Sequence, residues 1–396
     1  MQFFELLQIA TGNRKELSQT PTQEEWRGLF VLAQQQTLVG IAFRGVEQLP
    51  ETQRPPKTLL MQWYMATERI KAMNADLDRK ALAVANKFLR EGFPGMILKG
   101  QGIAQLYRVG QIENSKLKIE NCHPEGKLNE NDDDNEYKCV GEFSIFNSQF
   151  SIKEYRTPGD IDIWLHGERK DILSYVRCHV PDCKPVYHHV DFPVINGVDI
   201  EVHFTPSWMN SPFTNRRLQR YFRDERILKF EVRSSVYSEI PSPSLAFNRV
   251  YILVHIYRHL FGDGIGLRQL MDYYFVLQQG FTEKERAETM RTLRSLRMGR
   301  FAAAVMWVLQ EVFGMDDRYL LTVPNEKEGR FLLGEIMLAG NFGMYDERIK
   351  RVGNESEFHT FCRRVSRNFR FVRSYPSEVL WSPLFKLWHW AWRRAN

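Results

Sequence analysis

The sequence predicts an α+β protein, in which a central mixed β-sheet is flanked by helical N-terminal and C-terminal regions. Apolar residues recur at helical spacing between residues 22 and 90 and again after residue 241. Between these regions, segments 160–165 and 198–204 alternate apolar and polar residues, which is typical of strands. We therefore divide the 396 residues into a helical N-terminal region (1–92), a core (93–240) and a helical C-terminal domain (241–396).

The N-terminal region carries two helix signals. Thr22 and Glu25 have the spacing of a capping box, in which each side chain bonds the backbone of the other residue. A second periodic stretch runs from about Lys57 to Arg90 and is followed by Gly92, a typical residue after a helix end. This spacing predicts one long helix or two consecutive helices.

The core begins with a short apolar run bounded by glycines at residues 95–100, which predicts a buried strand. Residues 100–107 predict a turn that enters a helix, and residues 171–178 predict a further helix between the two alternating strands. Asn196 and Gly197 form the dipeptide of a hairpin turn just before the second alternating strand. The core is therefore expected to be mixed α/β.

An acidic insertion at about 110–153 interrupts this core. It contains five lysines and nine acidic residues, for a net charge of −4, and has little apolar periodicity before residues 140–146. We interpret the insertion as a long loop with a hairpin near its end.

The C-terminal domain contains four amphipathic stretches, at 246–261, 267–279, 284–296 and 301–313, and the glycines of 262–266 predict a helix–helix turn. The tail after Leu380 is rich in tryptophan and basic residues. Its simpler interpretation is a helix packed on the C-terminal domain with its tryptophans buried. The alternative is a weak contact with a membrane surface or a partner protein.

Composition excludes several classes of protein. No run of about 18 apolar residues is present, so we expect no transmembrane helix, and the N-terminus does not resemble a secretory signal. Five scattered cysteines do not form a disulfide pattern, which predicts a reducing, cytoplasmic location. The net charge of +6 is too small to indicate a nucleic-acid-binding protein, and residues 361–396 alone hold eight basic residues against one acidic residue.

Acidic side chains on the two alternating strands are the strongest chemical signal. Asp160 and Asp162 are two residues apart, so in a strand they project from one face, about 6–7 Å apart at their Cα atoms. Asp199, Glu201 and His203 share a face in the same way. Carboxylates held this close favour a divalent cation, Mg²⁺ or Mn²⁺, of the kind used in phosphoryl and nucleotidyl transfer.

A glycine turn offers a place for phosphate. Gly100 and Gly102 let the backbone approach an anion closely, and Lys99 adds a positive charge. Each signal has a plain structural explanation, since two aspartates can form a solvated strand face and glycines can form a tight turn. Their order along the chain, glycine turn, paired aspartates and third acidic strand, is much more specific.

Segments 98–100 (LKG), 154–164 (EYRTPGDIDIW) and 198–204 (VDIEVHF) together resemble the DNA polymerase β-like nucleotidyltransferase superfamily. They are most similar to a bacterial family of uncharacterised nucleotidyltransferases, which carries a KG turn, an R-x-x-x-DID strand and an E-x-H strand. The clear resemblance covers residues 93–206. It implies a nucleotidyltransferase-fold core and a metal-dependent transfer of a nucleoside monophosphate from ATP or another nucleoside triphosphate to an unknown acceptor, with release of pyrophosphate.

The resemblance also assigns residues. It implies that the catalytic metal ligands are Asp160, Asp162 and Glu201 and that phosphate binds at Lys99, Gly100 and Gln101. Arg156 matches a further family position and is a candidate phosphate ligand, while His203 and His189 are candidates to support the acids.

One departure from the superfamily pattern is Gly100-Gln101 in place of the usual Gly-Ser, which removes a hydroxyl from the phosphate turn. The alternative function is therefore a catalytically silent nucleotide-binding or regulatory module on the same fold.

Other candidates lie outside these motifs. Arg268 either faces the nucleotide phosphates or pairs with Asp272 one helical turn away. A zinc site of Cys178, Cys183 and one of His188 or His189 is conceivable, although the spacing is not that of a standard finger. His255 and His259 lie one turn apart, in a pattern that lacks the glutamate of zinc proteases and that is more typical of a partly buried helix.

Overall fold

The computed structural model of the protein describes residues 1–109, 150–195, 197–229, 236–348 and 357–395. Within these ranges no helix combines the length and apolar character needed to cross a membrane. The bounds of the helices are α1 Gln2–Ala10, α2 Gln23–Gln35, α3 Val39–Gln48, α4 Lys57–Arg90, α5 Gln101–Ala104, α6 Arg169–His179, α7 Pro212–Lys229, α8 Leu245–Phe261, α9 Leu267–Gln278, α10 Glu283–Ser295, α11 Gly299–Phe313, α12 Glu326–Ala339, α13 Glu357–Asn368 and α14 Pro376–Ala395. The strands are β1 Gly95–Ile97, β2 Arg108–Val109, β3 Phe150–Ser151, β4 Ile161–Leu165, β5 His189–Ile195 and β6 Val198–His203.

Four strands form a mixed sheet in the order β1-β4-β6-β5. The central strands β4 and β6 are parallel, whereas β1 and β5 pair antiparallel with β4 and β6 respectively. A parallel pair needs a long crossover connection, which here contains α6 and β5. The predicted α+β fold with a mixed central sheet and helical flanks is confirmed.

The two helix signals of the N-terminal region are both present in the structure. The Thr22 side chain accepts from the Glu25 amide and Glu25 bonds the Thr22 amide, so the capping box at the start of α2 is confirmed. The stretch 57–90 is one uninterrupted helix of 34 residues rather than two. Gly92 follows its end with a φ of +84°, a conformation that favours glycine.

Apolar side chains form two cores. The larger core is shared by the N-terminal helices and the C-terminal helices, with Trp26, Trp63 and Tyr251 among its largest buried members. The smaller core lies against one face of the sheet, where Phe88 of α4 and Ile172 of α6 join Ile161 and other strand residues. The long α4 contributes to both cores, so it connects the sheet to the helical part. The boundaries 1–92, 93–240 and 241–396 remain a prediction.

The hairpin turn before β6 is confirmed by the antiparallel pairing of β5 with β6 and by Gly197, which has a φ of +79°. Asn196 itself lies outside the described residues. Most of the acidic insertion, including the hairpin expected at 140–146, also lies outside them. At its two ends, β2 and β3 pair antiparallel, with Val109 opposite Phe150.

The tail forms α14, which contains Pro383 and packs through one side onto the segment before α7. The Phe385 ring lies 6.0 Å from the rings of both Tyr187 and Trp208. The expectation of buried tryptophans is wrong for Trp388 and Trp390, each of which is 48% exposed. Trp388 shares the contact with Phe385, since its ring lies 5.9 Å from that of Tyr187, but about half of its side chain stays exposed at the edge of that contact.

Candidate active site

The parallel pairing of β4 with β6 brings two of the predicted acids together. Asp162 and Glu201 are register partners in adjacent strands. Asp160 lies one residue before β4. The side chain of Asp162 is 1% exposed and that of Asp160 39% exposed, so the first lies inside the site and the second at its opening.

Lys99 joins the two aspartates. It follows β1, and its Nζ lies 3.0 Å from Asp162 Oδ2 and 3.4 Å from Asp160 Oδ2. Burial acts against the charged form of Lys99, but the carboxylates of Asp162, Asp160 and Glu201 outweigh it and raise its pKa. The ammonium therefore supplies the positive charge that a pair of close carboxylates requires.

His203 joins the acids from the other side. Its Nε2 donates to Asp162 Oδ1 at 3.0 Å and to Glu201 Oε2 at 3.3 Å. Burial would lower the pKa of His203, but these two hydrogen bonds and charges raise it. Burial likewise works against ionised Glu201, but His203, His189 and Lys99 lower its pKa to about 2. The carboxylate of Glu201 is thus charged at neutral pH.

The glycine turn is built from very close backbone contacts. Gly100 has a φ of +57°, which favours glycine, and a Cβ on Gly102 would lie 2.3 Å from the carbonyl oxygen of Ile97. The amides of Gly102 and Ala104 bond carbonyl oxygens within the turn, at 3.0 and 2.9 Å. Lys99, rather than these amides, therefore presents positive charge to the site.

Gln101 is 1% exposed and its Nε2 donates to Asp78 of α4. Its side chain thus ties the turn to α4 instead of replacing the hydroxyl of the superfamily's serine.

Arg156 and Arg268, the two predicted phosphate ligands, have different surroundings. The Arg156 guanidinium is 3% exposed and bonds both carboxylate oxygens of Asp272, from Nε at 2.7 Å and Nη2 at 2.9 Å. The Tyr107 hydroxyl donates to the same carboxylate at 2.6 Å. Asp272 therefore pairs with Arg156 and not with Arg268, and the expectation of an Arg268–Asp272 pair is wrong.

Arg268 lies beside the segment that leads to Asp160. A Cβ on Gly159 would lie 3.0 Å from Arg268 Nη2. Among the described residues, Arg268 forms no hydrogen bond and no ion pair. Burial and the like charge of Arg156 lower its pKa to about 10, so it is still a cation at neutral pH. An unpaired cation next to the acids is well placed to bind an anion.

The donor set fits a divalent cation. Asp162, Glu201 and His203 each place a ligand atom within 4.8 Å of the other two, whereas Asp160 is not in this group and contacts Lys99 at the opening of the site. Asp162 Oδ2 is buried and accepts no well-aligned hydrogen bond from the described residues, although Lys99 lies close to it. Carboxylate oxygens are the ligands that Mg²⁺ prefers.

Comparison with known families agrees with this geometry. The family model described as "Uncharacterised nucleotidyltransferase" matches residues 22–112 and 151–314, which is more than half of the chain. The chain belongs to this family. The interruption of the match falls in the acidic insertion. No curated protein and no solved structure shows a significant match to the chain.

In this nucleotidyltransferase-family chain, Arg258 of α8 is a candidate site residue that sequence reasoning missed. Its guanidinium carbon lies 3.9 Å from the centre of the Trp208 ring, and its Nη2 lies 3.2 Å from His259 Nε2. Its Nε is buried and has no hydrogen-bond partner among the described residues. The only sequence signal near it is the pair of histidines at 255 and 259, and that pattern does not indicate an arginine.

The conceivable zinc site of Cys178 and Cys183 is not assembled. Among the described residues, the groups close enough to share a metal contain histidine and acidic side chains and neither of these cysteines. His188 and His189 instead lie next to His203, with their ring centres 5.1 and 5.3 Å from its own.

Proposed function

We propose that the protein transfers a nucleoside monophosphate from a nucleoside triphosphate to an acceptor, in a reaction that depends on Mg²⁺ or Mn²⁺. The observation that carries this proposal is the pairing of Asp162 with Glu201 in adjacent parallel strands, with Lys99 and Asp160 in contact with the same cluster. Membership of the nucleotidyltransferase family supports the reaction class. ATP as the nucleotide, the identity of the acceptor and a cytoplasmic location remain predictions.

In the proposed reaction an acceptor oxygen forms a bond to the α-phosphorus of the nucleotide, and where the acceptor is a hydroxyl its proton is released to solvent. The bond from that phosphorus to the α–β bridging oxygen breaks, and pyrophosphate leaves with the electron pair. When bound, Mg²⁺ supplies charge neutralisation at the phosphates and lowers the pKa of an acceptor hydroxyl. Asp160, Asp162 and Glu201 are the residues that would hold it.

Two cations of the chain have distinct roles in this proposal. Lys99 exchanges its carboxylate contacts for a contact with the triphosphate when nucleotide and metal enter. Arg268 binds a phosphate oxygen, since its guanidinium is the cation beside Gly159 that has no partner among the described residues. Binding at both places aligns the nucleotide across the acids, and this positioning is the largest contribution that a protein makes to such a reaction.

We give Arg156 a positioning role. Its Nε and Nη2 donate to the two carboxylate oxygens of Asp272 and its Nη1 donates to the Thr157 carbonyl, so binding phosphate would require breaking that buried pair. It holds the segment before β4, and therefore Asp160, in place.

A silent nucleotide-binding module is the second candidate. It is favoured by Gln101, which stands where the superfamily has serine and directs its side chain to Asp78. The retention of all three acids favours the enzyme.

Pyrophosphate release and nucleotide binding together test the proposal. With Mg²⁺ and a panel of nucleoside triphosphates and acceptors, the wild-type chain should release pyrophosphate, and its thermal unfolding should shift upward only when metal and nucleotide are both present. Asp162→Asn should lose the metal-dependent part of the shift and at least about 100-fold of the turnover.

The matched control is Asp199→Asn, an exposed carboxylate on the same strand as Glu201, which should leave both measurements unchanged. Binding of nucleotide and metal without pyrophosphate release would select the silent module. Absence of both would contradict both candidates.

A further inference from the structure

A second set of donor atoms lies beside the carboxylates. His188, His189 and His203 each place a ring nitrogen within 4.8 Å of the other two. His189 and His203 are register partners in the antiparallel pair β5 and β6. The carbonyl oxygen of His188 accepts from the Phe204 amide at 2.8 Å, so the backbone holds all three residues in place.

The three rings are also held by their surroundings. His188 is 5% exposed and His203 3% exposed, and the side chain of His189 is 16% exposed. The Trp208 ring packs on that of His188, with their centres 4.0 Å apart. Nδ1 of His188 and Nδ1 of His203 are buried without a hydrogen-bond partner among the described residues. The rings are therefore fixed by packing, and the nitrogens of His188 and His189 that face each other, rather than the unpartnered Nδ1 of His188, are the ones that a shared ion would take.

The spacing of the donor atoms is that of a compact metal site. His188 Nε2 lies 3.0 Å from His189 Nδ1, and Glu201 Oε2 lies 3.3 Å from both His189 Nδ1 and His203 Nε2. A tetrahedral zinc ion with bonds of about 2.0–2.1 Å separates its ligand atoms by about 3.4 Å. The observed separations of 3.0 and 3.3 Å are close to this value.

The chemistry of the donors selects the class of metal. Imidazole nitrogen suits Zn²⁺ and other transition metals, whereas Mg²⁺ prefers oxygen. A metal ion binds the neutral form of an imidazole ring.

We propose that His188, His189 and His203 bind a transition-metal ion such as Zn²⁺ directly beside the carboxylates that would hold Mg²⁺, with His203 giving up its hydrogen bonds to Asp162 and Glu201 when the ion binds. Glu201 lies at the boundary of the two sets, so an ion on the histidines would also neutralise a carboxylate of the reaction site. Binding of this ion can be measured without nucleotide, so the test of the histidine site is independent of the test of nucleotidyl transfer.

Cobalt titration of the chelator-treated, full-length protein tests the site. Co²⁺ should bind in one equivalent with the visible absorption of a low-coordinate cobalt–imidazole site, and an equal amount of Zn²⁺ should displace it. His188→Phe keeps a ring on Trp208 without a nitrogen. It should lose far more affinity than the about 10–100-fold typical of losing an outer partner of a metal ligand.

Two further variants complete the design. His189→Gln changes the least buried of the three rings and is a second test if His188→Phe alters thermal unfolding. His179→Gln, on the outside of α6, is the matched control and should bind Co²⁺ like the wild type. Co²⁺ binding by His188→Phe and His189→Gln that equals the control, or no binding by the wild type, would overturn the proposal.

Failure of this site and failure of the proposed function give different results. A wild-type chain that binds one Co²⁺ but neither binds nor turns over Mg²⁺-nucleotide would contradict nucleotidyl transfer and support the histidine site. The reverse result would contradict the histidine site alone.

Discussion

Arg156 and Asp272 form a two-bond ion pair although 116 residues separate them in the chain, with Nε 2.7 Å and Nη2 2.9 Å from the two carboxylate oxygens. Arg156 precedes β4 and Asp272 lies in α9, so this pair joins the strand of the acids to the C-terminal helices. The Tyr107 hydroxyl bonds the same carboxylate at 2.6 Å, which adds the segment after the glycine turn. The placement of Asp160 therefore depends on the packing of α9.

Asp272→Ala should be strongly destabilising. It leaves Arg156 buried without its carboxylate, and breaking a buried pair in this way costs about 3–5 kcal/mol. Urea unfolding measures the loss. The control is Glu326→Ala, which breaks an exposed pair with Arg330 and should cost less than about 1 kcal/mol. Equal losses of unfolding free energy in the two variants would show that the buried pair of Arg156 and Asp272 adds no more stability than the exposed pair.

Lys99→Met should change metal binding and turnover in opposite directions. Without the ammonium that competes for Asp160 and Asp162, Mn²⁺ should bind the nucleotide-free protein about 10-fold more tightly. Pyrophosphate release should fall by at least about 100-fold, because the triphosphate loses a cation. Calorimetric titration and a pyrophosphate assay measure the two effects.

The control for this pair of measurements is Lys87→Met, which removes a lysine paired with Glu91 on the surface of α4. It should affect neither quantity. Weaker Mn²⁺ binding by Lys99→Met would contradict competition between the ammonium and the metal.

Gly102→Ala should damage the glycine turn. The new Cβ would lie 2.3 Å from the carbonyl oxygen of Ile97, so the backbone must move. We expect a loss of stability of about 1–3 kcal/mol and a matching loss of nucleotide binding. Gly28→Ala is the control: it lies in α2 with open space around it and should be neutral or stabilising by up to about 1 kcal/mol. Similar effects of the two substitutions on the free energy of unfolding would contradict the close approach of Gly102 to the Ile97 carbonyl oxygen.

Glu378 should make stability depend on pH. Burial raises its pKa to about 7, although the amides of Asn210 and Ser211 donate to it and work in the opposite direction. Since the folded pKa lies above the unfolded value, this residue's contribution is fully present below about pH 4.5 and is lost as the pH rises through about 7.

Glu378→Gln removes this titration. The stability difference between wild type and variant should therefore fall by about 1–3 kcal/mol from pH 4.5 to pH 8, as measured by chemical unfolding at several pH values. A difference that stays constant over this range would show that Glu378 does not titrate there.

Local patterns were sufficient to predict the three strands β1, β4 and β6, whereas no such pattern indicated β2 or β3 and β5 followed only from the hairpin turn at Gly197. Alternation along 160–165 and 198–204 indicated which side chains share a face, and the register of β4 and β6 then places Asp162 opposite Glu201. The capping box and the end of α4 also follow from nearby residues. The roles of the individual site residues remain predictions.

Contacts between distant segments were not predictable in the same way. The spacing of Arg268 and Asp272 suggested a pair within one helix, but Asp272 is buried and takes the two-bond partner Arg156 from another segment. No periodicity connects Arg258 to Trp208, or His188 to His203, because tertiary packing alone brings these residues together. The exposure of Trp388 and Trp390 has the same explanation, since aromatic content does not indicate which side of a helix packs against the rest of the protein.

The pairing of Val109 with Phe150 has a practical consequence for work on this protein. These two residues border residues 110–149 and lie opposite each other, and the free energy of closing a loop changes by only about 0.6 kcal/mol for each doubling of its length. We therefore expect that a short turn, a fluorescent protein or a purification tag grafted between them changes the loop-closure free energy little. Tyr107, two residues before Val109, donates a hydrogen bond to Asp272. A fluorescent label at this junction would therefore lie close to the buried pair of Arg156 and Asp272.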